Sequence, residues 1–116
     1  MNRYLVDTSV WIDFFRNGNS KLDLLLKENL VILHPFILGE LVCGNFKNRK
    51  EIFSLLNSLP LCKPALHNEV INFVENNTMF GKGIGWIDFH LLISSKINDL
   101  ELFTLDKKLA ATAKKS

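Results

Sequence analysis

The chain has little that would staple, anchor or strongly charge it. Only two of its 116 residues are cysteine, Cys43 and Cys62, and both lie among apolar neighbours. A disulfide framework or a zinc site needs more cysteines or Cys/His clusters, so two reduced core thiols are expected. The histidines, His34, His67 and His90, are scattered rather than set at ligand spacing, which points to surface or core-edge positions. No apolar run approaches the roughly 20 residues that span a bilayer. Residues 1–15 also lack a basic region followed by a long apolar stretch and a small-residue cleavage site. A soluble cytoplasmic protein with no membrane partner is therefore expected. Charge of one sign is scarce too. Fourteen basic against twelve acidic residues leave a net +2, too little to establish a nucleic-acid partner from composition. No repeat, low-complexity tract or linker interrupts the chain, and its length suits one domain, 1–116.

What is present is a hydrophobic fraction of 47%, enough for one core without staples. Short apolar runs alternate with segments of helical period, the pattern of an α/β fold. Strands are expected at Tyr4–Val6, Leu30–Leu33 and Leu102–Thr104, with a weaker one at Leu59–Cys62 interrupted by Pro60. Helices are expected from Thr8, from Ser20 to Glu28, and from Pro35 to about Phe46. Others are expected from Arg49 to Asn57, over 65–80, from Trp86 to about Ile97, and at the end of the chain. Pro35 suits a first helical turn, where its missing N–H is harmless. Leu66, Val70, Phe73 and Val74 take core spacing in the 65–80 helix, and Trp86, Phe89, Ile93 and Ile97 in the next. The order predicts a three-layer α/β/α sandwich on a mainly parallel sheet of four to five strands. A closed (β/α)₈ barrel would need about twice the length.

Four acids stand in unusual settings. Asp7 and Asp106 each follow an apolar strand, and ligands of open parallel sheets gather at the carboxyl ends of strands. Glu40 interrupts Phe36-Ile37-Leu38-Gly39-Glu40-Leu41-Val42-Cys43, which has no other charge. Asp88 falls in a helix's first turn, where the dipole favours a carboxylate. Singly, each has an ordinary role as a cap, a turn residue or a solvated charge. Together on one rim they repel, and Mg²⁺ or Mn²⁺, which prefer oxygen ligands, relieve that repulsion. Thr8, Ser9 and Thr104 place hydroxyls beside these acids, for orienting a carboxylate or for capping. Asp13 lies almost two helical turns from Asp7 and suits a structural role. Arg16 and Lys82 are candidates for phosphate contact. The basic groups Lys47-Asn48-Arg49-Lys50 and Lys107, Lys108, Lys114 and Lys115 suit solvated faces. Phe14, Phe15 and Phe46 suit core packing.

Leu5-Val6-Asp7-Thr8-Ser9-Val10-Trp11-Ile12-Asp13 resembles the first motif of PIN domains, especially those of VapC toxins. Pro35-Phe36-Ile37-Leu38-Gly39-Glu40-Leu41 resembles their second motif, Gly85-Trp86-Ile87-Asp88-Phe89-His90-Leu91-Leu92 the third, and Leu102-Phe103-Thr104-Leu105-Asp106-Lys107 the fourth. The likeness covers nearly the whole chain in the expected order. It departs at Phe89-His90, where small or aliphatic residues are usual after the third-motif acid.

The resemblance implies a Mg²⁺- or Mn²⁺-dependent endoribonuclease, the toxin of a VapBC-type toxin–antitoxin pair. Asp7, Glu40, Asp88 and Asp106 would be its metal-binding and catalytic acids, with a metal-activated water as attacking group. It also implies an RNA substrate, a VapB-like antitoxin and a homodimer. Among rivals, a phosphoacceptor receiver domain needs an aspartate after a central strand and a lysine after a later one, and neither fits well here; an Asp-x-Asp phosphatase is disfavoured because Asp7 is followed by Thr8-Ser9. A related DNA-cutting nuclease usually carries more acids and helical insertions. A PIN fold kept as a non-catalytic RNA- or protein-binding module is the alternative, though all four acidic positions are filled.

Overall fold

In the computed structural model, which describes residues 2–115, the apolar run Tyr4–Val6 forms strand β1 at the centre of a parallel sheet. Val31–Ile32 (β2) pairs on one side, with Tyr4 opposite Val31 and Leu5 opposite Ile32. Glu101–Phe103 (β3) pairs on the other, with Leu5 opposite Leu102 and Val6 opposite Phe103. The order is β2-β1-β3. Leu5 and Val6 are neighbours and face opposite sides of the sheet, yet both are 0% exposed. Both faces of β1 are therefore covered, as a layered α/β fold requires.

The sheet is smaller than the expected four to five strands: three are formed among the described residues. The segment 59–62 contributes only one parallel bridge, Leu33 opposite Leu61. The Leu33 N–H donates to the Pro60 carbonyl (2.9 Å) and the Cys62 N–H to the Leu33 carbonyl (3.0 Å). Pro60 has no N–H with which to extend the ladder.

Seven helices accompany the strands among the described residues: α1 (Thr8–Asn17), α2 (Ser20–Lys27), α3 (Pro35–Val42), α4 (Arg49–Ser58), α5 (His67–Asn76), α6 (Trp86–Ile97) and α7 (Lys107–Lys115). None is long and apolar enough to cross a membrane. Helix α3 stops at Val42, earlier than the expected Phe46. The Arg49 guanidinium reaches back to the Val42 carbonyl (3.2 Å) and the Gly44 carbonyl (2.6 Å), satisfying two acceptors where the helix ends. Cys43 caps this end and is exposed, so only Cys62 is the expected core thiol. Helix α5 begins at His67 and leaves Leu66, 66% exposed, outside the core.

The core lies in two clusters. One gathers Leu5, Val6, Val10, Trp11, Leu22, Ile37, Leu41 and Leu56 with Leu91 of α6. Phe14 and Phe15 pack against it, their rings 6.2 Å and 5.8 Å from Trp11, and Phe46 lies 5.2 Å from Phe15. The other gathers Ala65, Val70, Phe89, Leu92 and Ile93. Helix α6 serves both and is buried without a break from Phe89 to Ser95. Its ends differ from the expected apolar line, since Trp86 and Ile97 are exposed.

Two histidines go deeper than the surface or core-edge positions expected: His34 is 0% exposed and His90 3%, so both lie in the interior. His34 replaces the usual Ser, Thr or Asp as the N-cap of α3, its Nδ1 accepting the Phe36 N–H at 2.9 Å. Because Nδ1 accepts, Nε2 carries the proton of the neutral ring and donates to Ser94 Oγ at 3.2 Å.

Candidate active site

The site is built outward from Asp7, where β1 ends and α1 begins. Strand pairing continues one residue further here, the Asp7 N–H donating to the Phe103 carbonyl at 2.9 Å. As N-cap of α1, its Oδ1 accepts the Thr8 N–H at 2.8 Å. Oδ2 accepts the hydroxyl protons of Ser9 at 2.8 Å and Thr104 at 2.7 Å. The carboxylate is 8% exposed, and three donors offset the cost of withdrawing it from water.

The two hydroxyls are aimed by the backbone. Ser9 Oγ accepts the Leu105 N–H at 3.1 Å, and Thr104 Oγ1 accepts the Asp106 N–H at 3.0 Å. With an oxygen lone pair of each engaged by an amide, the single proton of each hydroxyl is free for Asp7. Thr8, Ser9 and Thr104 thus each donate a hydroxyl hydrogen bond to Glu40 or Asp7.

Glu40 joins from α3. Its Oε1 accepts the Thr8 hydroxyl at 3.0 Å, and the side chain is otherwise exposed. Asp106 is linked to the same lattice through its backbone N–H, while its Oδ1 caps α7 by accepting the Leu109 N–H at 3.0 Å. Asp88 is half-buried in the first turn of α6. Burial pushes its carboxyl above the ordinary carboxylate range. The negative charge of Asp7 adds to that, as do Asp106 and Glu40, against a hydrogen bond from the Gly85 backbone. All four acids therefore act on one region: three through the Asp7 lattice, and Asp88 through its field.

Two curated relatives match this chain, the Ribonuclease VapC32 of Mycobacterium tuberculosis in strain CDC 1551 / Oshkosh and in strain H37Rv. Each is 35% identical over 113 residues, spanning 97% of this chain and 91% of the relative. The chain belongs to the VapC family of PIN-domain ribonuclease toxins. No family model matches it, and no solved structure matches it significantly.

Among the described residues of this VapC-family chain, no group of three or more His, Cys, Asp or Glu side chains is gathered closely enough to hold a metal ion. The donor set still suits a hard cation. It is all oxygen, it carries mutual repulsion that a cation relieves, and Mg²⁺ binds through one or two carboxylates while retaining water.

Other expected positions sort themselves by contact. Asp13 accepts from the side chains of Asn17 and Asn19, each at 3.1 Å, and holds the α1–α2 turn rather than the site. Those hydrogen bonds lower its pKa. Arg16 lines a hollow beside Phe46 and Lys47, and Lys82 another beside Phe73 and Asn77. A basic residue that sequence reasoning left on a solvated face is closer to the third-motif loop. Lys108 Nζ lies 2.9 Å from where a Cβ on Gly83 would be, and Gly83 has φ +78°. That left-handed backbone favours glycine, while the lysine tip could move aside. The backbone amides of Leu105 and Asp106, which orient the hydroxyls, carry no side-chain signal and are invisible to motif reading.

Proposed function

We propose that this protein is a metal-dependent endoribonuclease, the toxin half of a VapBC-type pair, cleaving RNA phosphodiester bonds. The observation that carries the reading is the Asp7 lattice. A buried carboxylate is held by three donors whose own orientation is set by the backbone, in a chain 35% identical to proteins named as ribonucleases. Such rigid support of an acid is what a reaction centre requires.

Asp7, Glu40, Asp88 and Asp106 would hold Mg²⁺, or Mn²⁺, directly or through water. When bound, the ion supplies charge to the phosphate oxygens and a water of lowered pKa. The protein's part is positioning and proton handling. Ser9 and Thr104 fix Asp7, and Thr8 fixes Glu40. Asp88 and Asp106 are the acids available to take the proton of the attacking water, Asp106 while also capping α7. The chain would act as a homodimer restrained by a VapB-like antitoxin.

Purified protein, freed of any co-purifying partner, should cut cellular RNA into discrete fragments with Mg²⁺ or Mn²⁺ and not with EDTA. Asp7→Asn and Glu40→Gln should both abolish cutting. The exposed Glu40 tests the chemistry without disturbing the interior. Absence of cleavage together with absence of metal-binding heat in calorimetry would overturn the enzyme reading and leave a non-catalytic binding module.

A further inference from the structure

The sheet stops at β3, whose outer side has no neighbour. The Glu101 N–H donates to the Arg3 carbonyl at 3.0 Å, and the Asp7 N–H to the Phe103 carbonyl at 2.9 Å. Backbone groups alternate between the two sides of a strand. Glu101 and Phe103 therefore face β1, and Leu102 turns its N–H and C=O the other way. No strand stands on that side among the described residues. An edge left like this is a template for another strand.

A hollow of about 600 Å³ lies against this edge, lined by Leu102 and Phe103 of β3, Lys21 of α2, Leu92 and Lys96 of α6, and Lys114 of α7. Phe103 shares a sheet face with Tyr4, and Lys21 Nζ stands over both rings, at 4.6 Å and 5.3 Å, so α2 covers the edge from that face. Leu102 points to the opposite face. A hollow lined by both residues passes around the edge of β3, where the next strand of a sheet would run.

Its charge is one-sided. Lys21, Lys96 and Lys114 are all exposed, and none is in an ion pair among the described residues. Glu101, the acid in the lining, is already engaged by the Asn2 side-chain amide at 2.8 Å. These lysines repel the same edge of a second copy and attract an acidic strand. RNA would answer the lysines but not the open backbone, which asks for a peptide's own N–H and C=O.

We propose that β3 receives an extended acidic segment of a partner protein as a fourth strand, pairing with Leu102 and setting carboxylates against Lys21, Lys96 and Lys114. The inference goes beyond the nuclease reading and uses none of the four acids.

Amide hydrogen exchange, followed by NMR on the full chain, tests this. In the free protein Leu102 should exchange faster than Glu101 and Phe103. A short blocked peptide of alternating Glu and Val, filling about nine-tenths of the sites, should slow Leu102 about tenfold. The same peptide N-methylated throughout should not, nor should one of alternating Lys and Val. Lys96→Glu with Lys114→Glu should weaken the Glu peptide about tenfold and strengthen the Lys peptide, a gain that an unfolded variant could not show. The proposal is wrong if about 1 mM Glu peptide shifts no amide of β3, or if either control peptide protects Leu102 equally. If Leu102 is protected in the free protein and loses that protection as a dimer dissociates on dilution, a second copy holds the edge and the proposal is overturned. It is overturned too if an RNA oligonucleotide, and not the peptide, shifts Lys96 and Lys114.

Discussion

His34 should make the protein lose stability in mildly acidic solution, well above the pH at which carboxylates titrate. Burial holds this imidazole down to about 4 from its ordinary 6.5, with the charge of His90 adding to the effect. The folded pKa is below the unfolded one, so the unfolded chain takes up the proton first. Stability is then fully present above about pH 6.5, falls as pH drops towards about 4, and changes no further below it. At about 1.4 kcal/mol per pKa unit, the whole loss from His34 is about 3 kcal/mol, an upper figure. The damage would fall on α3. Protonation puts a second N–H on Nδ1, where the Phe36 N–H now donates at 2.9 Å, and the cap becomes a clash of donors. Urea unfolding at half-unit steps from pH 4 to 7 should show the slope. Asn at this position keeps a capping oxygen and cannot titrate, so His34→Asn should flatten it. His90, whose pKa burial also lowers, remains in both proteins, so the difference between them isolates His34. An equal slope in wild type and variant, or an NMR titration of His34 centred near 6.5, would refute the reasoning.

Three further outcomes follow from the site. Thr104→Val removes a hydroxyl donor to Asp7 and the acceptor of the Asp106 N–H. It should cost about 1.5–3 kcal/mol in urea unfolding and lower RNA cleavage about 10- to 100-fold. Asp88 has a raised pKa, so its ionised form opposes folding above the ordinary carboxylate range. In EDTA at neutral pH, Asp88→Asn should therefore raise the urea midpoint, and with Mg²⁺ it should abolish cleavage; an unchanged or lower midpoint would count against like-charge crowding. Asp13 has a lowered pKa, so its contribution is present at neutral pH and lost as pH falls through its folded value. Asp13→Ala should remove that acid-range component and leave the metal dependence of cleavage unaltered.

The parts of the fold that could be read from residues alone were those decided locally. Asp7 after an apolar strand, Pro35 at a helix start and Asp88 in a first turn all declare themselves through short-range chemistry, and the helices start within a residue or two of where these signals put them. Ser9 and Thr104 were candidate supports from their place beside acids, and both now contact Asp7 across 97 or fewer positions of chain. What could not be read depends on partners distant in sequence. The strand expected over 59–62 shrinks to a bridge because its only register with Leu33 places Pro60 in the ladder. His34 and His90 look like surface or core-edge residues until α3 and α6 are laid together, because no local pattern marks a histidine for full burial. Cys43 sits in an apolar run, yet the helix ends just before it, and the guanidinium responsible belongs to the next helix.

Helix α6 has a consequence for how activity can be lost. Seven consecutive residues of it, Phe89 to Ser95, are withdrawn from solvent, so no face is left to make it soluble by itself. It becomes ordered only once material on all sides has assembled: Leu91 belongs to one cluster, and Phe89, Leu92 and Ile93 to the other. Asp88 is fastened to the first turn of this keystone. Loosening either half of the interior frees the helix and carries the acid away with it. Under the nuclease reading, cleavage and the packing of this helix should therefore be lost together.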